Sequence, residues 1–276
     1  MRTAPGAIPF TRHPASRGVV WLKEAWVMLS AARLPWLMLL LSYYLIQIVV
    51  GYVPVVGPLA MMVLRPVFTV GFLAAAWNQE RGGTPEMHHL FRGFGANLRA
   101  LIAIGAFLVV GTTLAIFATM AVDGGELLEA IAANKPLDEA LAGSQVELAM
   151  LFATLCAVPV VLAAWFAPAL VVFNGCGAKQ ALGTSLRAAL ANWRPVAIYA
   201  LLLLFFGALV PTLAVKMIAL ALPLIAARIV VALTVFPYLL FFIAAQAISD
   251  YVSYRDIFHA DEGPAPPDEP EPGTTA

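Results

Sequence analysis

Six long apolar stretches, separated by short polar segments, dominate the pattern of hydrophobic and polar positions along this chain. The stretches cover residues 34–53, 56–77, 100–121, 148–173, 195–215 and 225–248. Each is close to the ~20 residues that a helix needs to cross the hydrocarbon core of a bilayer. The pattern therefore predicts an all-α fold, an integral membrane bundle of six transmembrane helices.

Amphipathic segments accompany these spans. Between Trp21 and Arg33, apolar residues recur at helical spacing, and Lys23, Glu24 and Ser30 lie largely off the stripe. This spacing predicts an amphipathic helix that lies in the membrane interface before the first span. A similar period in the 122–147 loop predicts one or two short helices, broken at Lys135-Pro136.

The same spacing of arginine, asparagine and arginine occurs twice, 95 residues apart, each time just before an odd-numbered span. The residues are Arg92, Asn97 and Arg99 in the first copy, and Arg187, Asn192 and Arg194 in the second. We interpret this as an internal repeat of an interfacial helix and a two-span hairpin, in two or three copies. Such repeats are common in transporters, and they also occur in membrane proteins with no transport role.

Each residue of this repeated pattern has a candidate role. In a continuous helix, two arginines seven residues apart share one face. We expect these four arginines at headgroup level, where they either contact anionic lipid or only orient the chain during insertion. Asn97 and Asn192 are candidate helix caps, because an asparagine side chain bonds the free N–H groups at a helix start.

The distribution of charge predicts the orientation, although the net charge is zero. Twelve basic residues lie in the N-terminal segment, in the loops after the second and fourth spans and in the tail. Three lie in the loops after the third and fifth spans, on the opposite side. The positive-inside rule then places both termini in the cytoplasm of a bacterium, with the chain in the inner (plasma) membrane.

We divide the chain into a cytoplasmic N-terminus with its amphipathic helix (1–33), a six-span membrane domain (34–249) and a cytoplasmic tail (250–276). The tail is rich in proline and acidic residues, and is expected to be disordered, from about residue 261.

Arg65 is the exception to the rule that the spans lack charge. It lies about 10 Å inside the outer surface by helical rise, next to Pro66. One interpretation is that its side chain snorkels to the outer interface. The other is that it contacts an anion, either a lipid phosphate or a substrate carboxylate. Pro66, Pro168 and Pro237 are expected to kink the even-numbered spans.

The chemistry that would mark an enzyme is missing from the pattern. The central parts of the other spans contain no Asp, Glu, Lys, Arg or His, and all four histidines lie outside the spans. Cys156 and Cys176 are too far apart along a helix for a disulfide. We find no phosphate-binding loop, zinc spacing or nucleophile motif. The sequence therefore predicts no catalytic residue, no metal, no cofactor and no enzymatic activity.

Short motifs in the fourth span, in the loop that follows it and in the turn after the first span suggest a family. They are Trp165–Leu170, Ala181–Ser185 and Asn192-Trp193, together with the Pro54–Pro58 turn. With these the chain resembles an uncharacterised family of proteobacterial multi-pass inner-membrane proteins over about residues 18–255. It is also similar to the membrane domain that precedes the catalytic domain in some glycerophosphodiester phosphodiesterases. We expect no catalytic domain after the sixth span, so the resemblance implies the six-span fold and does not imply the activity.

Three functions remain open at this point. The leading hypothesis is a non-enzymatic inner-membrane protein with a structural, lipid-associated or accessory role. The alternative is a transporter of a small or apolar solute, which the repeat and Arg65 favour. A lipid enzyme comes third, because it needs a polar cluster at one interface and we see none in the sequence. The expected partners are membrane lipids, chiefly anionic headgroups on the cytoplasmic side, and not nucleic acid.

Overall fold

A computed structural model describes residues 8–133 and 144–259, and within these ranges every regular element is a helix. The α-helices are α1 (Arg17–Ala31), α2 (Arg33–Gly51), α3 (Val56–Glu80), α4 (Leu98–Ala118), α5 (Met120–Asp123), α6 (Glu126–Ala132), α7 (Ser144–Trp165), α8 (Ala167–Phe173), α9 (Ala178–Ala191), α10 (Trp193–Leu204), α11 (Val210–Ala221) and α12 (Leu224–Phe258). A 3₁₀ helix covers Met87–Gly95, and a π-helical turn covers Phe205–Leu209. The break predicted at Lys135-Pro136 and the tail from residue 261 lie outside the described residues.

Six helical segments of the described chain are long and apolar enough to cross a membrane. They are Arg33–Gly51, Val56–Glu80, Leu98–Asp123, Gln145–Phe173, Trp193–Ala221 and Leu224–Phe258. Each contains or closely overlaps one of the apolar stretches of the sequence, so the prediction of six transmembrane helices in an all-α bundle is confirmed. The last helix continues to Phe258, past the expected domain boundary at residue 249. The protein is a multi-pass membrane protein.

The chain divides into two compact units. Among the described residues, the first consists of 8–40, 73–86 and 192–259, and the second of 41–72, 87–133 and 144–191. The boundary passes through α2 and α3, so each of these two helices contributes one part to each unit.

In the first unit, α1 packs on α10 and α12. It begins at Arg17, four residues before the apolar stripe seen in the sequence, and buries Trp21, Ala25 and Leu29. Gly18 allows this close packing, because a Cβ there would lie 2.3 Å from the carbonyl oxygen of Pro195. The amphipathic helix predicted from the stripe is therefore present, although Trp26 faces outward, 53% exposed.

In the second unit, α4 and α9 both pack on α7. Small residues set the distance between several helices, as is common for helices packed in lipid. A Cβ on Gly105 would lie 1.9 Å from the carbonyl oxygen of Val63, and one on Gly93 would lie 2.1 Å from that of Val67. These contacts hold α3 against both α4 and the 3₁₀ helix.

The fourth span is broken at Phe166, between α7 and α8. Pro168 therefore lies in the first turn of a new helix, where proline is tolerated, and not inside a continuous one. The buried Ser185 of α9 bridges the break: its hydroxyl donates to the carbonyl of Leu162 (2.7 Å) and accepts from the N–H of Phe166 (3.0 Å). Pro66 and Pro237, by contrast, lie inside the continuous helices α3 and α12.

Candidate functional site

The four arginines of the repeated pattern are all exposed, but neither pair shares a continuous helix. Arg92 lies in the 3₁₀ helix and Arg99 in α4, with Gly93 and Gly95 between them. Arg187 lies in α9 and Arg194 in α10. The second break follows from Pro195, whose ring is incompatible with the helical carbonyl of Ala191 four residues earlier. The expectation that each pair lies on one face of one helix is therefore wrong.

Arg187 faces an open recess of about 700 Å³ around the start of α9. Gly177, Ala178, Lys179, Gln180, Gly183 and Arg187 line this recess. Arg187 donates from Nε to the carbonyl oxygen of Gly183 (3.1 Å) and from Nη2 to Oγ1 of Thr184 (3.2 Å). Since a guanidinium has five N–H donors, these bonds fix its direction and leave others available. The lining contains two cations and no carboxylate.

The two asparagines of the pattern have different roles. Asn97 lies at the start of α4, where its Oδ1 accepts a hydrogen bond from the N–H of Ala100 (3.2 Å). Asn192 makes no side-chain capping bond to α10. Its amide instead donates to the carbonyl of Thr11 (2.9 Å) and accepts from the N–H of His13 (2.8 Å). The prediction that Asn192 caps a helix is wrong, because an N-terminal segment distant in sequence binds the amide.

Arg65 is exposed within the apolar part of α3, nine residues after Val56 and therefore about 14 Å from that end of the helix. In the salt bridges among residues 8–133 and 144–259, every carboxylate pairs with His13, Arg17 or Arg255, and none pairs with Arg65. An unneutralised arginine at the centre of a span costs about 2.5–3.5 kcal/mol. Snorkelling of the side chain to the outer interface or contact with an anion would each lower the cost of this charge.

A polar cluster that sequence reasoning missed lies in the first unit. We call it the arm–tail cluster; its members are His13, Arg17, Trp21, Glu24, Glu80, Tyr251, Arg255 and Asp256. Arg17 binds Asp256 through two hydrogen bonds, Nε to Oδ2 (2.9 Å) and Nη2 to Oδ1 (2.6 Å). Trp21 donates from Nε1 to Oδ2 of the same carboxylate (2.8 Å). The sequence showed no polar cluster of this kind, because its members come from distant parts of the chain.

The rest of the arm–tail cluster connects three helices. Arg255 on α12 pairs with Glu24 on α1 (2.6 Å) and with Glu80 at the end of α3, and Glu80 also accepts from Tyr251. The pKa of Arg17 is raised, first by its hydrogen bond to Asp256 and then, against the opposing effect of burial, by the charges of Asp256 and Glu24. Arg17 and Asp256 are 239 residues apart, so no local pattern could have identified the pair.

The described residues contain no group of three or more His, Cys, Asp or Glu side chains placed to hold a metal ion. Cys176 is buried, and burial raises the pKa of its thiol. The thiol is therefore less acidic, and less reactive as a nucleophile, than an exposed cysteine. The carboxylates of the arm–tail cluster bind arginine, tryptophan and tyrosine, an arrangement that holds helices together.

Together, the six spans and the polar ends of the helices define a class, the all-α multi-pass membrane proteins. The chain is similar to a probable inner membrane protein of Burkholderia thailandensis, with 29% identity over 196 residues, which cover 68% of this chain and 72% of that protein. No family model and no solved structure matches the chain. The similarity supports the resemblance to multi-pass inner-membrane proteins.

Proposed function

We propose that this protein is a non-enzymatic inner-membrane protein with a structural, lipid-associated role, and that it binds anionic lipid headgroups on its cytoplasmic side. The observation that carries this proposal is the recess lined by Lys179 and Arg187, which offers two cations and no carboxylate. A phosphate group suits such a site, because charge-assisted hydrogen bonds from arginine are short and strong. The other arginines of the repeated pattern, Arg92, Arg99 and Arg194, are exposed as well, and in this proposal they face the same leaflet.

Both termini are cytoplasmic in this proposal. The uneven distribution of basic residues supports the orientation. The similarity to a bacterial protein supports the inner membrane as the location.

Native mass spectrometry of the purified protein tests the lipid-binding role. We expect the wild type to retain dioleoylphosphatidylglycerol, and the Lys179→Gln/Arg187→Gln variant to retain at least about fivefold less, because the recess loses both cations. Lys216→Gln, which removes a basic residue of the opposite predicted side, is the matched control and should bind like the wild type. Equal retention by all three proteins would leave only the positive-inside role for these residues.

A transporter of a small or apolar solute is the second candidate function. The fourth span is interrupted at Phe166 and the fifth by the π-helical turn Phe205–Leu209, and transporters often bind substrate at discontinuous helices. A groove of about 640 Å³ along α4 and α7 is lined almost entirely by apolar side chains. Proteoliposomes containing a fluorescent, short-chain phosphatidylglycerol test whether lipid is the solute, since a lipid transporter moves this probe between leaflets faster than empty vesicles do, whereas a protein that only binds lipid does not.

A further inference from the structure

The 3₁₀ helix Met87–Gly95 lies deeper in the molecule than its place in the polar loop between the second and third spans suggests. Its buried side packs on α3, where a Cβ on Gly71 would lie 2.6 Å from the Cα of Leu90. Gly71 lies six residues, or about 9 Å, inside the apolar stretch 56–77. Because this part of α3 belongs to a span, the 3₁₀ helix lies beside it at the depth of the bilayer.

A contact with α2 gives a second, independent measure of this depth. The hydroxyl of Ser42 donates to Sδ of Met87 (3.0 Å). Ser42 lies eight residues after the start of the apolar stretch 34–53, which is about 12 Å by helical rise. Two different spans therefore place the 3₁₀ helix roughly 10 Å inside the apolar zone, close to the depth at which interfacial helices bury their apolar faces.

The outward face of the 3₁₀ helix is apolar and aromatic. Residues three apart are eclipsed in such a helix, so Phe91 and Phe94 share a face, and their ring centroids are 6.2 Å apart. Phe91 is 54% exposed, Phe94 40% and Met87 60%. The ring of Phe94 also contacts that of Phe68 on α3 at 5.7 Å, which fixes the direction of this face. The opposite side of the helix is buried, at His89, Leu90 and Gly93.

The charges beside this face are complementary to a lipid surface. Arg92 follows Phe91 on the 3₁₀ helix and is exposed, as is Arg99 in the first turn of α4. A long arginine side chain keeps its apolar stem against acyl chains while its guanidinium returns to the level of the phosphates. An aromatic face with arginines beside it is typical of helices that bind an anionic membrane surface.

We propose that the 3₁₀ helix Met87–Gly95 is embedded in one leaflet of the bilayer, with Met87, Phe91 and Phe94 against acyl chains and Arg92 at the phosphates. Lipid is the occupant of this face, because α2 and α3 are within the bilayer at the same depth and the neighbouring charges suit anionic headgroups. The embedding does not depend on the recess at Lys179 and Arg187. Only the identity of the leaflet, the cytoplasmic one, rests on the orientation in the proposed function.

Spin-label accessibility in lipid vesicles tests the proposal. The full-length protein, with both native cysteines replaced by alanine, receives one nitroxide label at Met87→Cys, Phe91→Cys or Phe94→Cys and is placed in phosphatidylcholine and phosphatidylglycerol vesicles. Oxygen concentrates in hydrocarbon and a nickel chelate in water, so the ratio of their collision rates with the label reports its depth.

Two reference labels calibrate this ratio. Val110→Cys, 57% exposed in the apolar part of α4, is the reference for lipid, and Glu126→Cys, at an exposed carboxylate of α6, is the reference for water. We expect all three labels of the 3₁₀ helix to give a ratio close to that of Val110→Cys. Adding Arg92→Gln should shift the Phe91→Cys label further toward the oxygen side, because the phosphate contact is lost, whereas Arg194→Gln, on α10, should not.

The remaining outcomes overturn the proposal. Accessibility to the nickel chelate equal to that of Glu126→Cys would place the 3₁₀ helix in water. Protection from both reagents would mean that a protein surface, and not lipid, covers the aromatic face. Three separate label positions keep the result decisive if one of the variants does not fold, and circular dichroism of each labelled protein identifies such a variant.

Discussion

Ser185 illustrates how one side chain can repair a break in a transmembrane helix. A backbone N–H and a carbonyl left unpaired inside a bilayer each cost several kcal/mol, because no water is present to bind them. The hydroxyl of Ser185 lies between the N–H of Phe166 and the carbonyl of Leu162, where the helix would otherwise close its own bond. The fourth span can therefore break before Pro168 without leaving these two groups unpaired.

We expect Ser185→Ala to destabilise the protein by about 1–3 kcal/mol, the usual cost of leaving a buried polar group without a partner. Thermal unfolding in detergent, followed by circular dichroism, measures this change. Thr154→Ala is a suitable control, because Thr154 bonds the carbonyl of Met150 within its own helix on an exposed face, and should change stability much less. A similar midpoint for both variants would mean that water or lipid satisfies the break instead.

Asp256 shows a different use of a polar residue, the attachment of two distant parts of the chain. Its carboxylate accepts two hydrogen bonds from Arg17 and one from Trp21, and its side chain is 10% exposed. We expect Asp256→Asn to destabilise the contact between α1 and α12 by about 2 kcal/mol, since an amide nitrogen would then face these donors. Hydrogen exchange of α1 should increase in this variant.

The loss of stability that Asp256→Asn causes in the contact between α1 and α12 should be the same at neutral and at alkaline pH. The pKa of Arg17 is raised by its partner, so the stabilisation is fully present below the ordinary arginine pKa and is lost only above it. Exchange measured at pH 7 and at pH 10, corrected for the intrinsic rate, should give the same difference from wild type. Glu126→Gln, at an exposed carboxylate of α6, is the control. A loss of the difference by pH 10 would point to another titrating group.

At the scale of elements, the sequence predicts what depends on local composition. A span needs only length and hydrophobicity, so all six could be located, and the stripe at Trp21, Ala25 and Leu29 identified the buried face of α1. Helix breaks were harder, because Pro66 is accommodated inside a helix while Pro168 begins a new one. The difference depends on Ser185, which lies nineteen residues after the break at Phe166.

The candidate sites depend on contacts that local sequence does not contain. The exposure of the four arginines followed from their charge, but the recess at Arg187 depends on how α9 begins. Asn97 and Asn192 occupy the same position in the repeated pattern, yet only Asn97 caps its helix. The segment that binds Asn192 is about 180 residues away, and neither periodicity nor spacing carries that information.

At the scale of the whole molecule, the two ends of the described chain are close together in the first unit. The N–H of Thr11 donates to the carbonyl of Ile257 (2.8 Å), and the rings of Phe10 and Phe258 are in contact at 6.4 Å between centroids. An even number of spans is required for two ends to meet on one side of a membrane, and six spans satisfy this condition. The many large apolar side chains on the surface fit a lipid environment.

The orientation of the whole chain is the last prediction. We expect both termini in the cytoplasm, because twelve basic residues lie in the segments of that side against three in the loops of the other. Alkaline phosphatase, which is active only outside, and a fluorescent protein that folds only inside can be fused in the turns after residues 53, 83, 124, 176 and 222. The phosphatase should be active after 53, 124 and 222, and the fluorescent protein after 83 and 176. Replacing Arg92 and Arg99 by glutamine tests the cause, since it should weaken the signal after 83 without affecting that after 176. Phosphatase activity after residue 83 in the wild type would reverse the topology and place Arg187 and its recess on the outer face.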